Sequence, residues 1–171
     1  MEKRYGKKLS SLLRESLWIF FIASLLHFGY SATGFFPLSF ISAVNESVWE
    51  HTKIVFFAAL LFNIYLYFRL HKGNNCFIAG LAPSTFSILI SIPLMFYGYT
   101  GLLGFDAFIP DLLIAYLSAL LCQASLNHFA QEGRDCRKYQ ALSLLFIVLL
   151  IFIFFLFTWY PLKLPMFIPL K

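Results

Sequence analysis

Charge is what this chain has least of. Only 12% of its 171 residues are charged, whereas 60% are hydrophobic and 22 are Phe. Soluble domains carry roughly 25% charged residues, so half the usual solubilising surface is missing and no separate soluble domain fits. Period-2 alternation is also lacking, which argues against the strands of a membrane barrel. Cysteine is scarce and odd in number: Cys76, Cys122 and Cys136 show no metal-type spacing. There is no Cys-x-x-Cys, no His-Glu-x-x-His, no nucleotide motif and no Ser-His-Asp order. Gly101-Leu102-Leu103-Gly104 lacks the strand–turn–helix context of a phosphate cradle and reads as a flexible loop. The net charge of +5 is no nucleic-acid signal, because the basic residues stand in short clusters without aromatic interleaving.

What the chain does have is apolar length. Runs at about 12–32, 48–68, 77–95, 108–129 and 141–160 each approach the ~20 residues an α-helix needs to cross ~30 Å of hydrocarbon. The expected fold is all-α, an integral membrane bundle of five transmembrane helices forming one domain over residues 1–171, with the lipid bilayer as its partner. Lys3, Arg4, Lys7, Lys8 and Arg14 precede or open the first run, Arg69 and Lys72 follow the second, and Arg134, Arg137 and Lys138 precede the fifth. The connections at 33–44 and 97–107 carry no basic residue. The positive-inside rule then sets the N-terminus in the cytoplasm and the C-terminus outside the cell membrane. The same topology brings the three cysteines to or near the cytoplasmic side, where thiols stay reduced, so they read as structural thiols. The basic stretch at 1–8 resembles the start of a signal peptide, yet no small-residue cleavage site follows promptly, and the first helix reads as uncleaved.

Several local features refine this picture. Pro83 and Pro93 should kink the third helix, and Ser84, Ser87 and Ser91 form a small-residue stripe suited to close packing. The fifth run, with Phe152, Phe154, Phe155 and Phe157, is apolar all round and should face lipid widely. The tail at 161–171 holds three prolines and should lie along the outer surface as an irregular segment.

The densest chemistry is Asn45-Glu46-Ser47-Val48-Trp49-Glu50-His51-Thr52-Lys53. Counting 1.5 Å per residue from Arg69, Glu50 and His51 lie about 27–29 Å away, at the outer interface. By the same count His27 is about 20 Å above Arg14, and Asp111 is about 31 Å from Glu132. Asp106 stands in the outer loop just before Asp111, and Tyr97, Tyr99 and Thr100 close the third helix on that side. Four of the eight acids, Glu46, Glu50, Asp106 and Asp111, thus belong to the outer face, against Lys53, Lys163 and Lys171. Ionisable groups at such depth are costly unless paired or hydrated, and so are site candidates. Helical spacing places Glu46, Glu50 and Lys53 on one stripe, with Ser47 and His51 on a second about 100° around. Both cannot face lipid cheaply, so at least one should face the bundle.

One reading makes this a metal or acid–base site. His27, His51 and Asp111 would bind a divalent metal such as zinc, and Glu50 would act as general base. Asn45, Glu46, Ser47, Lys53 and Asp106 are the remaining polar candidates. The plainer reading has Asn45 and Glu46 cap the second helix, Glu50 pair with Lys53 and His51 bond at the interface, with Trp49, Trp159 and the tyrosines as belt anchors. His128, which lies with Gln123 and Asn127 near the inner end of the fourth run, and His71 in a basic inner loop both read as surface or interface groups.

The string Val44-Asn45-Glu46-Ser47-Val48-Trp49-Glu50-His51-x-Lys53, preceded by His27-Phe28-x-Tyr30, resembles a group of small prokaryotic multi-span membrane proteins classed as a domain of unknown function. The resemblance covers nearly the whole chain. That family typically has Ala-Pro before the Val, where Ser42-Ala43 stands here. Ser47-x-x-x-His51 also resembles an element of the progestin and adipoQ receptor family, whose relatives include zinc-dependent membrane hydrolases. That family has seven spans and a C-terminal His-x-x-x-His, absent here. Three roles stay open: a metal-assisted hydrolase of a lipid or lipid-linked substrate, an oligomeric transporter or channel component, and a membrane assembly partner.

Overall fold

Hydrocarbon offers no water to a peptide group, so a spanning backbone must satisfy itself, and a helix does so within one segment. A computed structural model describes residues 8–130 and 135–169 of the protein. Lys3, Arg4, Lys7, Glu132, Arg134 and Lys171, used above for charge and depth, lie outside these. The described residues form α1 (Leu9–Thr33), α2 (Val48–Leu70), α3 (Asn75–Leu103), α4 (Phe108–Phe129) and α5 (Arg137–Trp159), with no strand among them. All five helices are long and apolar enough to cross a bilayer, the architecture of a multi-pass membrane protein.

The most deeply buried helix is α2, which packs on α1, α3 and α4. α5 lies along α3 and touches the 3₁₀ turn Phe36–Phe40 that follows α1. Its outward-facing residues include the exposed Leu145, Val148 and Phe152. Phe154 departs from that pattern. Its ring is fully buried against Trp49, Phe56 and Phe57 of α2. The tail is not irregular throughout: Pro165–Phe167 make a 3₁₀ turn that lays Phe167 on Trp49 and Phe157.

α3 is longer than the apolar run suggested. It takes both Pro83 and Pro93 inside the helix and ends at Gly104, whose φ of 79° lets its N–H reach Thr100 O. Tyr97, Tyr99, Thr100 and Gly101 are therefore helical, and Gly104 is a cap instead of a loop residue. The disturbance near Pro83 is relieved from outside the helix. Ser143 Oγ of α5 accepts from Ala82 N at 3.1 Å and donates to Ile78 O at 2.7 Å, spanning one rung of the α3 ladder. Gln140 Nε2 donates to Asn75 Oδ1 at 2.9 Å one turn away.

The cysteines correct the sequence reading. Cys76 and Cys136 form a disulfide across 60 residues, joining the first turn of α3 to the start of α5. Only Cys122 remains a thiol, buried in α4. Paired cysteines with no metal spacing give no sequence clue to their partner, which is why the pairing was missed.

The Ser143 bridge predicts a measurable cost. Ser143→Ala should leave the Ala82–Ile78 rung strained and lower stability by about 1–2 kcal/mol in detergent unfolding, whereas Ser87→Ala should change it much less. Equal effects of the two substitutions would show that the hydroxyl carries no such role.

Candidate metal centre

The site is built by the connection between α1 and α2. Gly34 takes a left-handed φ of 63° and ends α1 by donating to Tyr30 O. The chain then winds through the Phe36–Phe40 turn and comes back under α1. A Cβ on Gly29 would lie 2.6 Å from Ser42 Oγ, so the returning segment packs directly on α1 at this glycine, and a larger residue there would turn the Ser42 hydroxyl aside. Asn45 Oδ1 accepts from Ser47 N at 3.0 Å, and Ser47 in turn caps α2 by accepting from Glu50 N at 3.3 Å. The cap is thus Ser47, not Asn45, whose side chain instead makes the turn that leads into it.

This entry leaves Glu46 outside the helix, exposed, and facing two imidazoles. His27 Nε2 is 3.2 Å from His51 Nε2 and 3.3 Å from Glu46 Oε2, while His51 Nε2 is 3.6 Å from the same oxygen. A tetrahedral zinc with bonds near 2.0–2.2 Å has ligand–ligand edges of about 3.3–3.6 Å. The three separations match one triangular face of such a tetrahedron. A fourth vertex would remain for water or substrate.

Proton placement sharpens this. His51 Nδ1 lies 2.9 Å from Ser47 O, an atom that can only accept, so Nδ1 carries the hydrogen. In the neutral ring Nε2 is then a bare lone pair aimed at His27. A carbonyl holding the far nitrogen is the usual outer support of a metal-ligating histidine. The centre therefore offers a lone pair, a carboxylate oxygen and His27 Nε2, which has room for one shared proton or one cation between them. His27 Nδ1 is buried and finds no hydrogen-bond partner among the described residues, so the ring is engaged there through Nε2.

The remaining sequence candidates fall into two other groups. Glu50 and Lys53 are fully buried and face the bundle interior. Lys53 Nζ donates to Glu50 Oε2 at 2.6 Å, Ser39 O at 2.9 Å and Thr158 Oγ1 at 3.0 Å. Glu50 also accepts from Val44 N at 2.9 Å and Thr158 Oγ1 at 2.9 Å. All three ammonium hydrogens are used, and both carboxylate oxygens are engaged. Asp111 is the second group: it accepts from Tyr99 O–H at 2.5 Å, and Tyr99 Oη accepts from Ala107 N at 3.0 Å, tying α3 to the start of α4. Asp106 is exposed in the turn before α4. His27 and His51 are thus brought together, with Glu46 in the position expected of Asp111, and Glu50 in the position of a structural pair. His71 stacks on Phe77 and His128 is exposed.

A family model described as a family of unknown function, DUF6512, matches residues 2–169. The chain belongs to DUF6512. No curated protein and no solved structure matches it, so what this DUF6512 protein does must be argued from its geometry. Sequence reasoning passed over two partners. Thr158 is 105 residues from Lys53 and carries no signal of its own. Asn63, buried in α2, accepts from Gln123 Nε2 at 2.7 Å, so Gln123 of this DUF6512 chain is an interior group.

The buried pair yields a prediction with a sign. Glu50→Gln or Lys53→Met alone strands its buried partner and should cost roughly 3–5 kcal/mol, whereas the Glu50→Leu/Lys53→Met double variant should recover much of it. Thermal unfolding of the three in detergent tests this. A double variant as unstable as the sum of the singles would show that the charges themselves are needed.

Proposed function

We propose that this protein is a metalloprotein of the cell membrane, N-terminus cytoplasmic, holding a divalent transition metal such as zinc through His27, Glu46 and His51 at the outer boundary. The observation that carries this is the triangle of His27 Nε2, His51 Nε2 and Glu46 Oε2, with edges of 3.2, 3.3 and 3.6 Å. A three-ligand set with one open position is the arrangement of hydrolytic zinc sites, where the ion polarises a carbonyl or phosphoryl group and activates water. At a lipid–water boundary the fitting reaction is hydrolysis of a lipid or lipid-linked substrate.

The side chains divide the work in this reading. Ser47 O orients His51. Glu50, enclosed by Lys53, Thr158 and Val44 N, positions the residues on either side of it. Asp111, on α4 and bonded to Tyr99, stands outside the ligand triangle and ties α3 to α4 beside it. Two observations weigh against the other classes. Inward from Lys53 the buried face of α2 is Phe56, Phe57, Ala59, Leu60 and Phe62 before Asn63, which favours a closed site over a transport path. The tail folds onto its own Trp49, which leaves Phe167 unavailable for a partner.

Elemental analysis of detergent-purified protein tests the reading directly. The wild type should carry near-stoichiometric metal, and His27→Ala, Glu46→Gln and His51→Ala should each weaken binding at least about 100-fold. Absence of metal from the wild type even after loading would refute it. Titration calorimetry in buffers of different ionisation enthalpy should show protons released on metal binding, with affinity falling as pH drops because protons compete for the same lone pairs.

A further inference from the structure

One reactive group stands apart from the metal site. The Cys76–Cys136 cystine joins the beginnings of α3 and α5. By the order of the helices it lies at the end of the bundle that carries Lys8, Arg14, Arg69, Lys72, Arg137 and Lys138, opposite the His/Glu triangle. Clustered base at one end is the mark of the cytoplasmic face, and thiols on that face are held in a reducing poise. A disulfide there meets reductant continually. We infer that Cys76–Cys136 is a reversible thiol–disulfide site open to the cytoplasm, and that its state sets how firmly α5 is held to the bundle.

The two sulfurs are unequal. Cys76 is buried and Cys136 is half-buried, so an incoming thiol meets Cys136. A thiolate of a small thiol or protein dithiol attacks Cys136 Sγ, the Cys76–Cys136 bond breaks, and Cys76 leaves as a thiolate that takes up a proton. A second thiolate then attacks the outer sulfur of the mixed disulfide and releases Cys136, which is protonated in turn. Two thiols end as one disulfide and the cystine ends as two cysteines. The reverse exchange with a small-molecule disulfide closes the tether.

α5 is the helix on which such a tether acts. It packs mainly along α3, where Gln140 and Ser143 make its other bonds near the cystine. Its far end, about 33 Å away at 1.5 Å per residue, carries Thr158 to Lys53 and Glu50. Opening the cystine removes the covalent hold on the near end of this helix, where Gln140 and Ser143 remain, while Phe154, Phe155 and Trp159 go on packing its far end beside the ion pair.

The facing rests on the orientation proposed above, but the test needs no metal. In a Cys122→Ala background, cells are quenched with acid and the protein is tagged with maleimide-polyethylene glycol. Diamide should drive it to the untagged cystine and dithiothreitol to the doubly tagged form, with reversal on washout. Hydrogen exchange along 137–158 should be several-fold faster in the reduced protein and in Cys76→Ser/Cys136→Ser than in the oxidised one. A cystine that dithiothreitol never opens in cells, or thiols that diamide never joins, would overturn the proposal. So would equal exchange in the two forms. Ready reduction of intact cells by a membrane-impermeant phosphine would overturn the cytoplasmic facing, while the metal reading would still be judged by elemental analysis.

Discussion

The structure depends on an ion pair hidden from water. Lys53 and Glu50 lie one turn apart on α2, yet their partners come from the 3₁₀ turn after α1, from Val44 and from the end of α5. A bare ammonium at this depth would cost several kcal/mol, so the surrounding chain must deliver every acceptor it needs. That requirement fixes the path of the α1–α2 connection. Once Ser39 O and Val44 N are committed to the pair, Glu46 has little freedom over where it emerges. The triangle of half-buried His27 and His51 with exposed Glu46 is thus held from below by a closed and fully satisfied network.

This arrangement separates two tasks that the sequence presents in adjacent letters. Glu50 and His51 are neighbours in the chain, but about 100° of helix turns one toward the core and the other toward the site. Burial encloses Glu50 and makes it a part of the scaffold. Glu46 is exposed and His51 half-buried on the other side, with Ser47 serving both: its hydroxyl caps the helix and its carbonyl orients the imidazole.

How much of this could be read beforehand follows from the same geometry. Helix number came from run lengths, and a rise of 1.5 Å per residue put His27 and His51 toward the same end of the bundle, with His27 counted somewhat deeper. The roles of the two glutamates did not. The i,i+4 rule grouped Glu46 with Glu50, but that rule holds only inside a helix, and α2 begins after Ser47. The tether between Cys76 and Cys136, the Thr158 contact and the Asn63–Gln123 pair join residues 60 to 105 positions apart, which no local spacing encodes.

The bond made by Ser143 bears on the order of assembly. α3 leaves the ribosome before α5 exists, carrying Pro83 and a ladder rung at Ile78–Ala82 that the later hydroxyl will bridge. Lys53 is likewise made long before Thr158. Until the last span arrives, the first four helices hold a disturbed helix and an incompletely solvated cation in the bilayer. The fifth helix is in that sense a closing piece, and a chain that stops short of it is marked as unfinished by its own unmet polar groups.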